Sequence, residues 1–203
     1  METGTTSFEG TTGRVAGAVM ARMNRDMEHA AIDELDPAPS AAVLSIGFGP
    51  GVGIAALVRR LPQGRVAGID PSSTMVDQAR RRNRGAVDSG LVSLACAAAE
   101  SIPWPDEAFG GVLAVNSIQL WGPPEAGVRE VARVLAPGGA LVTITHVWAI
   151  EKRAPLEPWI EATTDLFRGC GLAHVTHSTA SFRSGIGVLL RASKPVGAAR
   201  LHP

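Results

Sequence analysis

Apolar positions along this chain keep two different rhythms. Val15, Val19 and Met23, continued by Met27 to Leu35, recur at helical spacing, and the segment closes at Asp36-Pro37-Ala38-Pro39. From residue 41 onward, short apolar runs alternate with helical stretches. The pattern predicts strands over Ala42–Ile46, Arg65–Ile69, Leu91–Cys96, Gly111–Asn116 and Ala140–His146, with helices near Val52–Arg60, Ser73–Asn83 and Pro124–Leu135. Regular alternation of this kind predicts a parallel sheet covered by helices on both faces. The tail changes rhythm: Pro158–Arg168 reads as a helix, followed by strands over Ala173–Ser178 and Gly185–Ala192. Only Thr179–Ser184 separates those strands, too little for a helical crossover, so they are expected to be antiparallel. No internal repeat interrupts the pattern. Residues 1–203 therefore read as one α/β unit, with 1–40 as an N-terminal helical cap and 41–203 as the core.

Composition narrows the partners. The 203 residues, 45% of them hydrophobic, suffice for one sizeable core. Nineteen basic side chains balance nineteen acidic ones, so no overall field draws the protein to nucleic acid or to an anionic membrane. The densest basic run, Arg80, Arg81, Arg82 and Arg84, ends a predicted helix and reads as a solvated face. Tyrosine is absent and aromatic residues make up 4%, which leaves few rings for stacking on single-stranded nucleic acid. Cys96 and Cys170 stand far apart without further Cys or His nearby, so neither a disulfide framework nor a metal site is expected. With no apolar stretch of membrane-spanning length and no signal-like start, the expected location is the cytoplasm. The abundance of Ala, Gly, Arg and Pro suits a GC-rich bacterial source. A small-molecule partner is the expectation, without nucleic acid or membrane, and the pattern carries no oligomeric state.

The chemistry concentrates after the first strand. Val43-Leu44-Ser45-Ile46 runs into Gly47-Phe48-Gly49-Pro50-Gly51-Val52-Gly53, a glycine-rich turn opening a helix, where the main chain can approach a ligand and free amides attract negative charge. Asp70 ends the next strand, 19 residues beyond Gly51, a position from which an acid accepts ribose hydroxyls. Asp70-Pro71-Ser72-Ser73 also reads as a helix cap, and both readings stay open.

In four ordered blocks the sequence resembles the class I S-adenosylmethionine-dependent methyltransferases: VLSIGFGPGVG (43–53), GRVAGIDPSSTMVDQARRRN (64–83), AESIPWPDEAFGGVLAVNS (99–117) and EVARVLAPGGALVTITH (130–146). The resemblance implies a Rossmann-like seven-stranded sheet of order 3-2-1-4-5-7-6 with strand seven antiparallel and helices on both faces. It further implies S-adenosylmethionine as cofactor, S-adenosylhomocysteine as product and methyl transfer to a small molecule. By that likeness Gly47, Phe48, Gly49 and Gly51 line the methionine and ribose part of the cofactor, and Asp70 holds the ribose. Pro71 and Met75 border the adenine, Ala98, Ala99 and Glu100 meet its other edge, and Asn116 with Ser117 sits near the amino-acid portion. Three acids common in the family are missing, their places taken by Ser45, Ala98 and Gly110. The first loss weakens anchoring of the cofactor's ammonium group, and Glu100, Ser101 and Asp106 are the candidates to compensate.

His146, ending the fifth strand, is either a general base or a loop histidine bonded to the main chain. Asn24, Gln119, Trp121 and His146 are expected around an acceptor pocket, Trp121 doubling as loop packing. The helix carrying Arg22, Met23, Asn24 and His29 is either a lid or a closure of the core. No metal is expected. Two alternatives remain: the same fold used for ligand binding or for non-methylating chemistry such as a cyclisation, and a nicotinamide oxidoreductase. The second lacks a third glycine at Val52 and any Tyr-x-x-x-Lys pair.

Overall fold

A computed structural model describes residues 24–196. Its elements are α1 (24–35), β1 (Ala42–Ile46), α2 (Val52–Arg60), β2 (Arg65–Asp70), α3 (Ser73–Arg82), α4 (Arg84–Asp88), β3 (Val92–Cys96) and β4 (Phe109–Val115). After a single 3-10 turn at Ile118–Leu120 follow α5 (Pro124–Val134), β5 (Leu135–His146), α6 (Val147–Glu151), α7 (Leu156–Gly169), β6 (Ala173–Phe182) and β7 (Gly185–Ser193). The seven strands form one sheet of order 3-2-1-4-5-7-6, parallel except for β7, which runs antiparallel to both β5 and β6. Both the order and the reversed strand agree with the expectation from sequence.

Alternation along the central strands divides the core in two. Val43, Val66, Leu113, Val142 and Ile144 point to the face covered by α1, α2 and α3, whereas Leu44, Ala67, Val112, Ala114 and Leu141 point to the face covered by α5 and α7. Each central strand is buried on both sides, which is why its sequence reads as a continuous apolar run. Helix α1 turns Met27, Ala31, Ile32 and Leu35 inward. Gly111 of β4 makes room for this helix, since a Cβ there would lie 2.6 Å from a Leu35 methyl.

The structure departs from the predicted elements mainly at their ends. Strand β5 begins at Leu135, because Leu135 pairs with Phe109 ahead of a register shift that the Pro137-Gly138-Gly139 stretch accommodates. The hairpin β6–β7 is longer than its apolar run, reaching Phe182 opposite Gly185. An edge strand exposed along most of its length leaves little hydrophobic pattern to read. Helices α4 and α6 are single short turns of five residues each, below the length at which periodicity shows.

Candidate functional site

The sheet order places β1 and β4 side by side with their crossovers leaving in opposite directions, so a crevice opens at their carboxyl ends. Its first wall is the glycine turn. Gly47, Gly49 and Gly51 all hold positive φ, at 70°, 54° and 82°. Two of them are also pressed by neighbours: a Cβ on Gly47 would meet the Ser117 Cβ at 2.5 Å, and one on Gly51 would meet the Ala79 Cβ at 2.7 Å. Gly49 differs, because a Cβ there would meet nothing within 4 Å, leaving its main chain open to a ligand. The Phe48 ring turns the other way, into the core against Gly68 of β2.

The acid after β2 is tied directly to this turn. Asp70 is buried, its Oδ2 accepting from the Gly49 amide at 2.9 Å and its Oδ1 from the Ser72 amide at 3.0 Å. Burial raises its pKa, and the two amide bonds act in the opposite direction. Each carboxylate oxygen accepts only one of these amides and keeps a lone pair for a hydroxyl. The cap belongs instead to Ser72, whose Oγ accepts from the Met75 amide at 3.4 Å. Met75 is buried, Pro71 and Ala98 are exposed, and Ala99 is buried. Glu100 accepts from the Gly122 amide at 2.7 Å and so ties the loop after β3 to the loop after β4.

At the opposite end, Asn116 organises the crevice. It adopts a φ of 51°, which asparagine tolerates better than most residues. Its Nδ2 donates to Asn24 Oδ1 on α1 at 3.0 Å, its Oδ1 accepts from the His146 amide at 2.9 Å, and its carbonyl accepts from Gln119 Nε2 at 3.0 Å. Ser117 donates its hydroxyl to the Ile46 carbonyl at 2.9 Å, joining the ends of β1 and β4. Asn24, Asn116, Gln119 and His146, separated widely in sequence, are therefore brought together. Trp121 packs instead against Gly127 and beside Ala99.

His146 is 1% exposed, and among the described residues neither ring nitrogen has a partner in full hydrogen-bond geometry, although the Ile186 main chain lies near enough to act on the ring. Burial pushes its pKa down, with the Ile186 main chain and the Asp26 charge acting the other way. Its ring stacks on Trp148 with centroids 5.5 Å apart, and Lys152 Nζ lies 4.6 Å from the Trp148 centroid. His174, with a φ of 51°, and His177 lie on the exposed β6. An open groove of about 690 Å³ runs past Arg25, Asp26, His29, Ala30, Asp33 and Arg183, touching none of the glycine-turn residues. Arg22 and Met23, the other expected lid residues, lie outside the described residues.

Three residues at the site escape sequence reasoning. Arg82 donates from Nε to the Pro50 carbonyl at 2.9 Å, and Asn83 from Nδ2 to the Gly51 carbonyl at 3.1 Å, so α3 fixes the turn from below. The basic run is thus not wholly a solvated face. The third is Glu28, on the inward side of α1 and 7% exposed, whose Cδ lies 2.6 Å from where a Cβ on Gly53 would be. Its spacing of three from Ala31 and four from Ile32 was the available signal: a charged residue on the apolar stripe. Of the compensating acids expected from sequence, Asp106 is instead paired with Arg133 at 2.9 Å.

Among the described residues no helix is long and apolar enough to cross a membrane, and no group of three or more metal-binding side chains is arranged to hold an ion.

Residues 44–143 match the family described as Methyltransferase domain. An uncharacterized methyltransferase, YdaC, of Bacillus subtilis (strain 168) is 30% identical over 125 residues, 62% of this chain and 67% of that protein. The chain spans between 35% and 67% of the length of three such curated relatives. Among solved structures, a SAM dependent methyltransferase from Aquifex aeolicus superposes with a TM-score of 0.70 at 16% identity, covering 88% of this chain and 97% of the other. The [4+2]-cyclase SpnF superposes with a TM-score of 0.72 at 22% identity, covering 85% of this chain and 81% of its own.

Proposed function

The chain belongs to the class I S-adenosylmethionine-dependent methyltransferases, and from that premise we propose that it methylates a small molecule held between Asn116, Gln119 and His146. Membership in that family displaces the nicotinamide reading. The glycine turn fits the cofactor on its own geometry: three positive-φ glycines, one open to solvent, face a buried aspartate with lone pairs to spare. In this reading Gly47, Gly49 and Gly51 receive the cofactor along the main chain, Asp70 accepts its ribose hydroxyls, and Met75 with Ala99 borders the adenine. Glu100 has a supporting part, holding the loop after β4 through Gly122.

The cofactor supplies a methyl group on a sulfonium, and displacement there needs an acceptor aligned in line and kept from water. Asn116 is the positioning residue, because one side chain fixes α1, the end of β4 and the end of β5 together. The observation that carries the reading is His146: a buried imidazole at the carboxyl edge of β5 with no closed hydrogen bond to a described residue at either nitrogen and only the Ile186 main chain acting on it as a weak partner. Held below its usual pKa by burial, it is neutral at pH 7 and can take a proton from a hydroxyl, thiol or ammonium acceptor. Gln119, whose Oε1 is buried without a partner, offers a second acceptor for a hydrogen bond from the substrate. Trp148, 46% exposed beside His146, gives the mouth an apolar aromatic edge suited to a planar or alkyl acceptor.

The test is incubation with S-adenosylmethionine carrying a deuterated methyl and a panel of phenols, quinols, carboxylates and amines, read by mass spectrometry. Accumulation of S-adenosylhomocysteine that requires one acceptor class, together with the labelled product, supports methyl transfer. Its slowing in His146→Ala, with S-adenosylhomocysteine affinity kept, supports the base. A rearranged product of unchanged composition, with the cofactor left unspent, would establish the non-methylating alternative instead.

A further inference from the structure

Carboxylates almost never lie in a protein interior unless paired, because removing the ionised form from water is costly. Glu28 is such a carboxylate. All but 7% of its surface is buried, and among the described residues burial is the cause that raises its pKa, to about 8. No charged group of α1, α2 or the sheet acts on it, and no hydrogen bond reaches it from any described residue. Glutamine or leucine would fill the same space at less expense, so packing does not account for the acid.

Its location does. Glu28 stands one helical turn after Asn24, whose side chain is bonded to Asn116 at the end of β4. Across from it lies Gly53 in the first turn of α2, so close that a side chain there would overlap the carboxylate. The acid therefore sits between the end of β4 and the helix that follows the glycine turn. Asp70 lies beyond the turn in the other direction, at the end of β2, since the sheet runs β2, β1, β4. A ligand whose ribose is held by Asp70 and which crosses the turn towards β4 extends towards the side of the turn on which Glu28 lies. For an adenosyl amino acid that end carries an ammonium group. The strand position from which related enzymes commonly offer an acid is Ser45 here, buried and neutral.

Resting on the cofactor site proposed above, we infer that Glu28 on α1 is the residue that receives the ammonium group of the cofactor's amino-acid end, in place of an acid within β1. The first helix thus completes the binding site. Without ligand the carboxyl keeps its proton, and the arriving cation draws out the ionised form and pairs with it.

The experiment is isothermal titration of the wild type and Glu28→Gln with two probes, S-adenosylhomocysteine and 5′-methylthioadenosine, which keeps the nucleoside but lacks the amino-acid end. The glutamine variant is expected to bind S-adenosylhomocysteine about ten- to hundredfold more weakly, the loss of one charge-assisted contact, while its affinity for methylthioadenosine stays within twofold. Retained methylthioadenosine binding also shows that the variant is folded. In buffers of differing ionisation enthalpy at pH 7, S-adenosylhomocysteine should release a proton from the wild type and none from the variant. An unchanged affinity, or an equal loss for both probes, overturns the inference while leaving the cofactor site standing. If the wild type binds neither probe, the cofactor site itself fails.

Discussion

Glu28→Gln should also change the stability of the unliganded protein, in a direction opposite to that of most buried substitutions. In an unfolded chain this carboxyl ionises near 4.5, whereas in the fold it keeps its proton up to about 8. Between those values the folded state binds the extra proton. Stability is therefore complete below about pH 4.5, falls as the pH rises through the window, and levels off above pH 8. Keeping the ionised form out of water over that window costs on the order of several kcal/mol. A loss of that size is comparable with the whole stability of an ordinary domain, roughly 5–15 kcal/mol. Glutamine resembles the protonated acid in shape and cannot ionise. Urea unfolding of both proteins at intervals from pH 5 to pH 9 should give nearly equal stability at pH 5 and a widening advantage for the variant, by several kcal/mol at pH 8.5. Parallel curves across that range would refute the claim that the carboxyl is buried without a partner among the described residues.

Three further changes probe the glycine turn and the loop after β3. Gly51→Ala forces a left-handed φ of 82° on alanine and drives its Cβ to 2.8 Å from the Ala79 Cα, so thermal unfolding should show a loss of about 2–4 kcal/mol. Gly49→Ala shares the unfavourable φ without the collision and should cost only about 1–2 kcal/mol. Arg133 donates to the Ile102 and Trp104 carbonyls and to Asp106 and Glu130, holding the loop after β3, and Arg133→Ala should lose about 2–4 kcal/mol at pH 7 by urea unfolding. Its hydrogen bond to Arg133 holds Glu130 below the ordinary carboxylate pKa, so this contribution is present at neutral pH and is lost as acid protonates Glu130; the difference between variant and wild type should shrink as the pH falls below the ordinary carboxylate range.

How much of this could be read in advance depended on the range of each interaction. The parallel core was legible because β1, β2 and β4 are buried on both faces and spell their positions as unbroken apolar runs. Asp70 was legible for a related reason: an acid closing such a run has few purposes besides a cap or a ligand, and here the capping falls to Ser72. Asn116 could be named from its place after β4, but its partners could not, since they lie 92 and 30 residues away on α1 and β5. Glu28 left a trace, a charge on an apolar stripe, without a local reason that would separate it from a solvated glutamate. Arg82 and Asn83 were hidden by their neighbours, because a run of cations at the end of a helix is expected there whether or not one of them reaches the turn.

The last strand among the described residues, β7, is also the one wedged between β5 and β6, with His146 opposite Gly187. During synthesis the β5 edge that ends at His146 therefore cannot be finished while β7 is still inside the ribosome: β5 must wait with one margin unpaired, and β6 has no strand to join. Residues 41–146 can collapse early around the glycine turn, but the margin of β5 that carries His146 closes only when β7 is threaded into its gap. Chains truncated before residue 185 and released from the ribosome should accordingly expose the β5 margin to chaperones, and released chains that include residue 193 should not.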